Sequence, residues 1–133
     1  MTEKILVIPC SGIGKPFGSI GRDATFRVCD ELRQNRAETI CLSLLVMGDE
    51  DAGTKIHSSR CITVDGCPLA CSHNNVERSG GEIVAEFKVM DLIRENRGLK
   101  PRTVTFLDED GEKLSKLLAE KIAAKIDELE AES

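Results

Sequence analysis

A short, uninterrupted apolar run, ILVIP, within Lys4–Pro9 sets the strongest limit on the fold. It is rich in β-branched residues and shows no polar alternation, as expected for a strand that is buried on both faces of a sheet. Similar runs recur along the chain and are separated by segments with helical spacing. Strands that alternate with helices predict a parallel sheet, and right-handed crossovers place helices on both of its faces. The sequence therefore predicts an α/β fold, a three-layer, Rossmann-like open sheet of about four mainly parallel strands.

The runs and spacings also predict where each element lies. The predicted strands cover residues 4–9, 39–45, 61–64 and 83–87, with a further strand at 103–107. The predicted helices cover residues 24–35, 49–59, 68–78, which ends at Gly80-Gly81, and 89–95. A glycine-rich loop, CSGIGKPFGSIGRD, is predicted before the first helix. In that helix Phe26, Cys29 and Leu32, or Val28 and Leu32, are predicted to face inward.

Residues 112–130 have the strongest helical pattern in the chain. Their apolar side chains form one stripe: Leu114, Leu117, Leu118, Ile122, Ile126 and Leu129. The sequence thus predicts a single α/β domain over residues 1–107, followed by an acidic, amphipathic helix over 108–133. The stripe would pack on this domain, on a partner protein, or on a second copy of the chain in a homodimer.

Charge and composition exclude several classes of function. The net charge is −5, and the segment from Asp108 onward carries nine acids and four lysines, so the first 107 residues are neutral overall. A neutral body followed by an acidic segment has no basic footprint for binding nucleic acid. With no Tyr and no Trp, the chain also lacks the aromatic surface on which bases stack. No apolar run is long enough for a signal peptide or a membrane span. We therefore expect a cytoplasmic protein without nucleic-acid or membrane partners.

Six cysteines in 133 residues are the most chemically informative feature. In a reducing cytoplasm they favour metal ligation or thiol chemistry over disulfides. Cys10 directly follows the first predicted strand, and Cys67 follows the third in the same way. If these strands are parallel neighbours, both thiols emerge at one edge of the sheet, where ligands bind in such folds. Cys71 lies one turn beyond Cys67 on a helix predicted to start at Pro68, with Cys67 as its N-cap.

The other cysteines are less clearly placed. Cys41 joins the same edge if the second strand ends near Leu42, and lies deeper if that strand runs to Leu45. Cys61 opens the third strand, so about 20 Å of extended chain separates it from Cys67. Cys29 lies on the apolar side of a helix, as expected for a buried, inert thiol. Spacing alone leaves both a metal site and plain buried cysteines open.

Two other candidate features are weaker. His73 follows Cys71 closely enough to be a spare ligand, although a surface histidine near a turn is more common, and His57 has no evident role. The glycine-rich loop matches neither phosphate-binding motif. Gly14-Lys15 is followed by Pro16 where a Walker A loop needs Ser or Thr, and Gly12, Gly14 and Gly18 are spaced one residue too far apart for a dinucleotide fingerprint.

Several segments together resemble a known family. PCSGIGK, ICLSLLVMGDE and VDGCPLAC followed by NVERSGG closely resemble, in this order, the DGC-domain family, which is named for the motif found here as Asp65-Gly66-Cys67. The resemblance spans about Lys4 to Glu95 and leaves the C-terminal helix outside. It implies a zinc-binding protein whose metal ligands are Cys10, Cys41, Cys67 and Cys71, and it excludes Cys29 and Cys61 from that set.

Three functions then remain as hypotheses. The first is a small metal-binding protein with a four-thiolate site, most consistent with zinc. The second is an iron–sulfur cluster protein, because thiolates also hold such clusters. The third is sulfur transfer or redox chemistry, with Cys67 as nucleophile or persulfide carrier and Cys71 as its resolving partner.

Overall fold

The computed structural model describes residues 4–10, 16–40, 42–66, 71–99 and 108–132. Its strands are β1 (Ile5–Pro9), β2 (Ala37–Glu38), β3 (Arg60–Asp65) and β4 (Glu82–Lys88). Its helices are α1 (Pro16–Arg27), α2 (Leu42–Val46), α3 (Glu50–His57), α4 (Cys71–Arg78), α5 (Val89–Glu95) and α6 (Glu109–Ala131). A π-helical segment, Val28–Leu32, continues α1. The predicted strand at 103–107 lies outside the described residues.

The four strands form one parallel sheet in the order β2-β1-β3-β4. In its register Leu6 lies opposite Cys61 and Pro9 opposite Val64, so β1 and β3 end at the same edge. The chain moves from β1 to β2 in one direction and then crosses to β3 on the other side of β1. This order confirms the predicted α/β class and creates a topological switch point at the carboxyl ends of β1 and β3.

The sheet separates two apolar layers. Ile5, Val7, Ile62 and Val64 point to one face, which we call the α6 face, where they pack with α1, α5 and α6. Leu6 and Ile8 point to the other, the α4 face, where they pack with α2, α3 and α4. Because side chains alternate along a strand, β1 is buried on both faces, as its continuous apolar run predicted.

The C-terminal helix contributes much of the α6-face core. Its described side chains with less than a tenth of their surface exposed include Leu114, Leu118, Ile122, Ile126 and Leu129. The helix begins three residues before the predicted start, because the Asp108 carboxylate accepts the Gly111 N–H at 2.8 Å and caps it. An ion pair between Arg33 and Asp127, with N···O at 2.6 Å, joins its last turns to the loop before β2.

The predicted glycine-rich loop over residues 10–23 is wrong from Pro16 onward. Helix α1 starts there, eight residues before the predicted start, with proline at its first position. Gly21 serves packing, because a Cβ on it would lie 3.3 Å from Val64 Cγ1 and 3.7 Å from Val89 Cγ2. Its missing side chain lets the helix lie close to the sheet.

This earlier start, together with the π-helical segment, changes which residues face inward. Ile20, Ala24 and Val28 are fully buried at a spacing of four residues. Phe26 is 50% exposed and Leu32 is 41% exposed, so their predicted inward orientation is wrong. Cys29 is half-buried against the α6-face core.

The predicted strand at 39–45 is also wrong. Strand β2 contains only Ala37 and Glu38, and Leu42–Val46 is helical. The segment is rich in leucine, which favours helices, and a short apolar run does not distinguish a strand from a helix. The exposure of its side chains also has helical spacing. Leu42 is buried and Leu45 is half-buried, three residues apart, while Leu44 between them is 38% exposed.

The remaining predicted elements are confirmed within two or three residues where the structure describes them. The predicted stop of α4 is confirmed, because Gly80 adopts a φ of 80° and the Gly81 N–H donates to the Val76 carbonyl at 3.0 Å. Residues 68–70 of the predicted helix lie outside the described residues. Of the described part of the chain, no helix is long and apolar enough to cross a membrane.

Replacing Gly81 by alanine should destabilise the fold. A Cβ there would lie 2.7 Å from Ile56 Cγ2 and from Val76 Cγ1, both fully buried and branched close to the backbone. We expect the free energy of unfolding to fall by about 1–3 kcal/mol, measured by urea denaturation. Gly53→Ala is the control: nothing lies within 4 Å of its Cβ position, so it should gain up to about 1 kcal/mol. If Gly81→Ala were no more destabilising than Gly53→Ala, the close packing around Gly81 described here would be contradicted.

Candidate metal centre at the switch point

Cys10 lies at the switch point of the sheet, directly after β1. Its N–H donates to the Val64 carbonyl of β3 at 2.9 Å, and only 3% of its surface is exposed. Its Sγ accepts the Gly66 N–H at 3.1 Å. The positive end of an amide dipole therefore points at this sulfur, an arrangement that favours a metal-bound or otherwise negatively charged thiolate.

Cys71 lies on the same face of the sheet, in the first turn of α4. Its half-buried side chain packs against the α4-face cluster that contains Cys10. Two further members of that cluster, Ile40 and Leu42, are the residues on either side of Cys41. Cys41 and Cys67 themselves lie outside the described residues.

The Asp65 carboxylate fixes the start of α4. Asp65 is the last residue of β3 and is 1% exposed. Its two oxygens accept the N–H groups of Ser72 at 2.7 Å and of His73 at 3.1 Å. Burial raises the pKa of this carboxyl above its usual value, and the two backbone hydrogen bonds oppose that shift. Asp65 thus caps a helix from the neighbouring strand, a longer-range version of the usual N-cap.

A second contact ties α4 to β1. The Ser72 hydroxyl, which is fully buried, donates to the Ile8 carbonyl oxygen at 2.5 Å. The first turn of α4 is therefore joined to both central strands, to β3 through Asp65 and to β1 through Ser72. These two contacts hold Cys71 at the same sheet edge as Cys10.

Sequence reasoning missed the roles of Asp65 and Ser72. Asp65 was indicated only as part of a motif. The prediction of Cys67 as the helix cap lies outside the described residues. The signal was an aspartate at the end of a buried strand shortly before a helix, since aspartate is a preferred capping residue. Nothing in the local pattern indicates that the capped N–H groups lie seven and eight residues away.

Cys61 and Cys29 lie away from the switch point. Cys61 lies opposite Leu6 in the register of β1 and β3. Leu6 is four residues, or about 13 Å of extended strand, before Cys10, so Cys61 lies that far from the edge where Cys10 emerges. Its Sγ lies 3.6 Å from the Ser59 carbonyl oxygen at the start of β3. Cys29 lies on the opposite face of the sheet. Among the described residues, these two positions agree with the prediction that neither thiol joins the site.

Cys29 and Cys61 should be inert toward alkylation. Burial raises the pKa of the Cys29 thiol to about 12 and that of Cys61 to about 11. At pH 8 only about one molecule in a thousand or fewer then carries either thiolate, the reactive form. We expect iodoacetamide at pH 8 to leave both unmodified in the folded protein and to modify both in guanidinium, as read by peptide mass spectrometry. Rapid modification of Cys61 in the folded chain would contradict its buried position.

His73 lies next to the site, but its ring faces two carboxylates. Nε2 is 3.1 Å from Glu77 Oε2, and Nδ1 is 2.5 Å from Glu86 Oε2 without the alignment of a hydrogen bond. Either nitrogen would have to leave a carboxylate to bind a metal. His57 lies on α3, and its Nδ1 would be 2.8 Å from a Cβ at Gly80, so its ring packs over the turn after α4.

The described residues contain no cluster of three or more His, Cys, Asp or Glu side chains that could hold a metal ion. The described part of the proposed ligand set consists of Cys10 and Cys71, and residues 11–15 of the glycine-rich loop are not described. The donors that are described nevertheless suit a thiolate-bound metal. They include a buried sulfur that accepts a backbone N–H and a second sulfur in the first turn of a clamped helix.

The comparisons with known proteins identify a family. No curated protein and no solved structure matches the chain. The DGC domain family matches residues 6–127, nearly the whole chain. This range corrects the extent of the resemblance inferred from the sequence, because it continues through most of α6. The chain therefore belongs to the DGC domain family.

Proposed function

We propose that this protein is a small metal-binding protein that holds zinc through the thiolates of Cys10, Cys41, Cys67 and Cys71. The observation that carries the proposal is the hydrogen bond from the Gly66 N–H to Cys10 Sγ at 3.1 Å. It brings the residue that precedes Cys67 against the Cys10 sulfur, although the two lie 56 positions apart in the sequence.

Convergence of the flanking residues supports the full ligand set. Cys10, the two neighbours of Cys41 and the side chain of Cys71 share one apolar cluster on the α4 face. Four sulfurs drawn from three separate segments of the chain are the tetrahedral donor set that zinc prefers. We propose the cytoplasm as the site of action, because its reducing environment keeps such thiols available for metal.

A closed four-thiolate site leaves no open position for a substrate, so we do not propose Lewis-acid catalysis. A domain of this length buries a sizeable core without a metal. Its two apolar layers on either side of the sheet fit that expectation. The site therefore fits metal handling, assembly or docking at the functional edge of the sheet better than folding alone. When bound, the metal would tie together the three segments of the chain that carry its ligands.

The test is metal analysis and an absorption spectrum of the same sample, purified without oxygen. With no Trp and no Tyr, the chain is nearly transparent near ~280 nm, so cofactor bands are easily seen. We expect a colourless protein with about one zinc ion per chain. Bound iron with a broad absorption band near ~400 nm would instead identify the cofactor as an iron–sulfur cluster. A colourless, metal-free protein with rapidly alkylated Cys67 would contradict metal binding and favour thiol chemistry.

A further inference from the structure

Three exposed apolar side chains lie in and just after α2, the helix that follows Cys41 in the chain. Among the described residues, five large apolar side chains are well exposed, and three of them, Leu44, Val46 and Met47, fall within four positions of the chain. Val46 is 66% exposed and Met47 is 79% exposed. Exposed apolar side chains that cluster in this way mark interaction surfaces more often than isolated ones do.

A surface cleft of about 540 Å³ adjoins these side chains. Its described lining comes from α2, the turn before α3, α3 itself and the residue that follows α4: Leu45, Gly48, Asp49, Glu50, Gly53, Thr54, His57 and Ser79. Leu45 and Gly48, which line the cleft, flank Val46 and Met47 in the chain. We call the cleft and these exposed side chains together the α2–α3 surface.

Gly53 leaves open space on the wall of the cleft. It lies inside α3, where glycine costs about 1 kcal/mol relative to alanine. Unlike Gly21 and Gly81, it has no packing reason within the described chain, because nothing lies within 4 Å of its Cβ position. A helix that keeps a glycine on the wall of an open cleft leaves room for the atoms of a partner.

The charge of the cleft indicates the chemistry of that partner. The described lining contains two carboxylates, Asp49 and Glu50, and neither lysine nor arginine. The described lining comes from helices and the turns beside them and contains no strand residue, so a partner gains affinity through side chains and not through main-chain pairing. Apolar anchors with basic neighbours, as on an amphipathic helix, match both the exposed side chains and the acidic lining.

We propose that the α2–α3 surface binds a basic, amphipathic helix of a partner protein. Helix α2 directly follows Cys41 and packs against α4, which begins at Cys71. A partner docked here would therefore lie next to the candidate metal centre. The surface itself is defined by α2, α3 and the end of α4, so its binding does not require the metal.

The probe is a synthetic 18-residue amphipathic helix of leucine and lysine with one tryptophan on its apolar face. The protein has no tryptophan of its own, so a blue shift of the peptide emission reports burial of that ring. We expect saturable binding of this peptide. We expect none with a matched peptide in which every lysine is replaced by glutamate. Equal binding of both peptides, or no blue shift with either, would overturn the proposal.

Two substitutions place the binding on the surface. Gly53→Arg adds bulk and positive charge in open space on α3, and Met47→Glu removes the most exposed of the large apolar side chains that the structure describes. Each should weaken binding by about tenfold or more. The control is Phe26→Glu, an equally drastic change at a 50% exposed side chain of α1, which should leave binding unchanged. Circular dichroism confirms that each variant is folded.

Two outcomes would assign the surface differently. Undiminished peptide binding by folded Gly53→Arg would show that the cleft is not used. Wild-type protein that sediments as a dimer and becomes a monomer in Met47→Glu would show that a second copy of the chain covers the surface. Either outcome would overturn the proposed partner.

Discussion

Replacing Cys10 by serine is expected to remove most of the bound metal, lowering the metal content or affinity by tenfold or more. Cys10 is almost fully buried at the switch point, and its sulfur already accepts a backbone N–H. A serine hydroxyl is a poor ligand for zinc and does not ionise at neutral pH. Equivalent losses are expected for Cys41→Ser, Cys67→Ser and Cys71→Ser. Elemental analysis of protein purified without oxygen measures the effect, with a competing chelator giving the affinity.

Cys29→Ser and Cys61→Ser are the matched controls and should keep the metal. Cys29 packs on the α6 face, and Cys61 lies opposite Leu6, far from the carboxyl end of β3. A metal loss in Cys61→Ser equal to that in Cys10→Ser, with the fold intact by circular dichroism, would show that the ligands do not gather at the strand ends. Retention of full metal by all four ligand variants would refute the proposed site.

Replacing Asp65 by alanine should destabilise the protein by about 2–4 kcal/mol, a large part of the stability of a domain. The substitution removes the acceptors of two N–H groups, that of the fully buried Ser72 and that of the half-buried His73. Each buried donor without a partner costs about 1–3 kcal/mol. Urea denaturation followed by circular dichroism measures the change in the free energy of unfolding. The same variant should bind metal more weakly, because the first turn of α4 carries Cys71.

Asp49→Ala is the control for this loss. Asp49 caps α3 through one hydrogen bond, to the Ala52 N–H at 2.9 Å, and is exposed, so its removal should cost only about 1 kcal/mol. Asp65→Asn keeps one acceptor oxygen and should lie between Asp65→Ala and the wild type. If Asp65→Ala were no more costly than Asp49→Ala, Asp65 would not clamp α4 to β3 as described.

Much of the fold was predictable because buried strands and helices have apolar residues at regular positions in the sequence. β1 and β3 are buried on both faces, and their continuous apolar runs predicted them within a residue or two. The stripe of α6 and the stop at Gly80 were equally readable, since each follows from a local periodicity or a local φ requirement. Errors occurred where composition was ambiguous, at the leucine-rich residues 42–46 and at the glycines of α1.

The candidate site was predictable in part. The positions of Cys10 and Cys67 after two strands indicated one sheet edge, and the register of β1 with β3 confirms that these strands end together. The inclusion of Cys41 depended on family resemblance, because the pattern left open where the strand predicted around it would end. In the structure residues 42–46 are helical. The ligand assignment of all four cysteines stays a prediction until metal is measured.

By itself, the sequence determined the class of fold, the strands at its centre and the cysteines that follow them, because these depend on local burial and on covalent order. The tertiary structure decided the rest. The strand order placed Cys10 against Gly66, and the contacts of Asp65 and Ser72 tied α4 to two strands. These contacts join residues 7 to 64 positions apart. No local pattern specifies such pairs, because the free energy of forming them depends on how the whole chain packs.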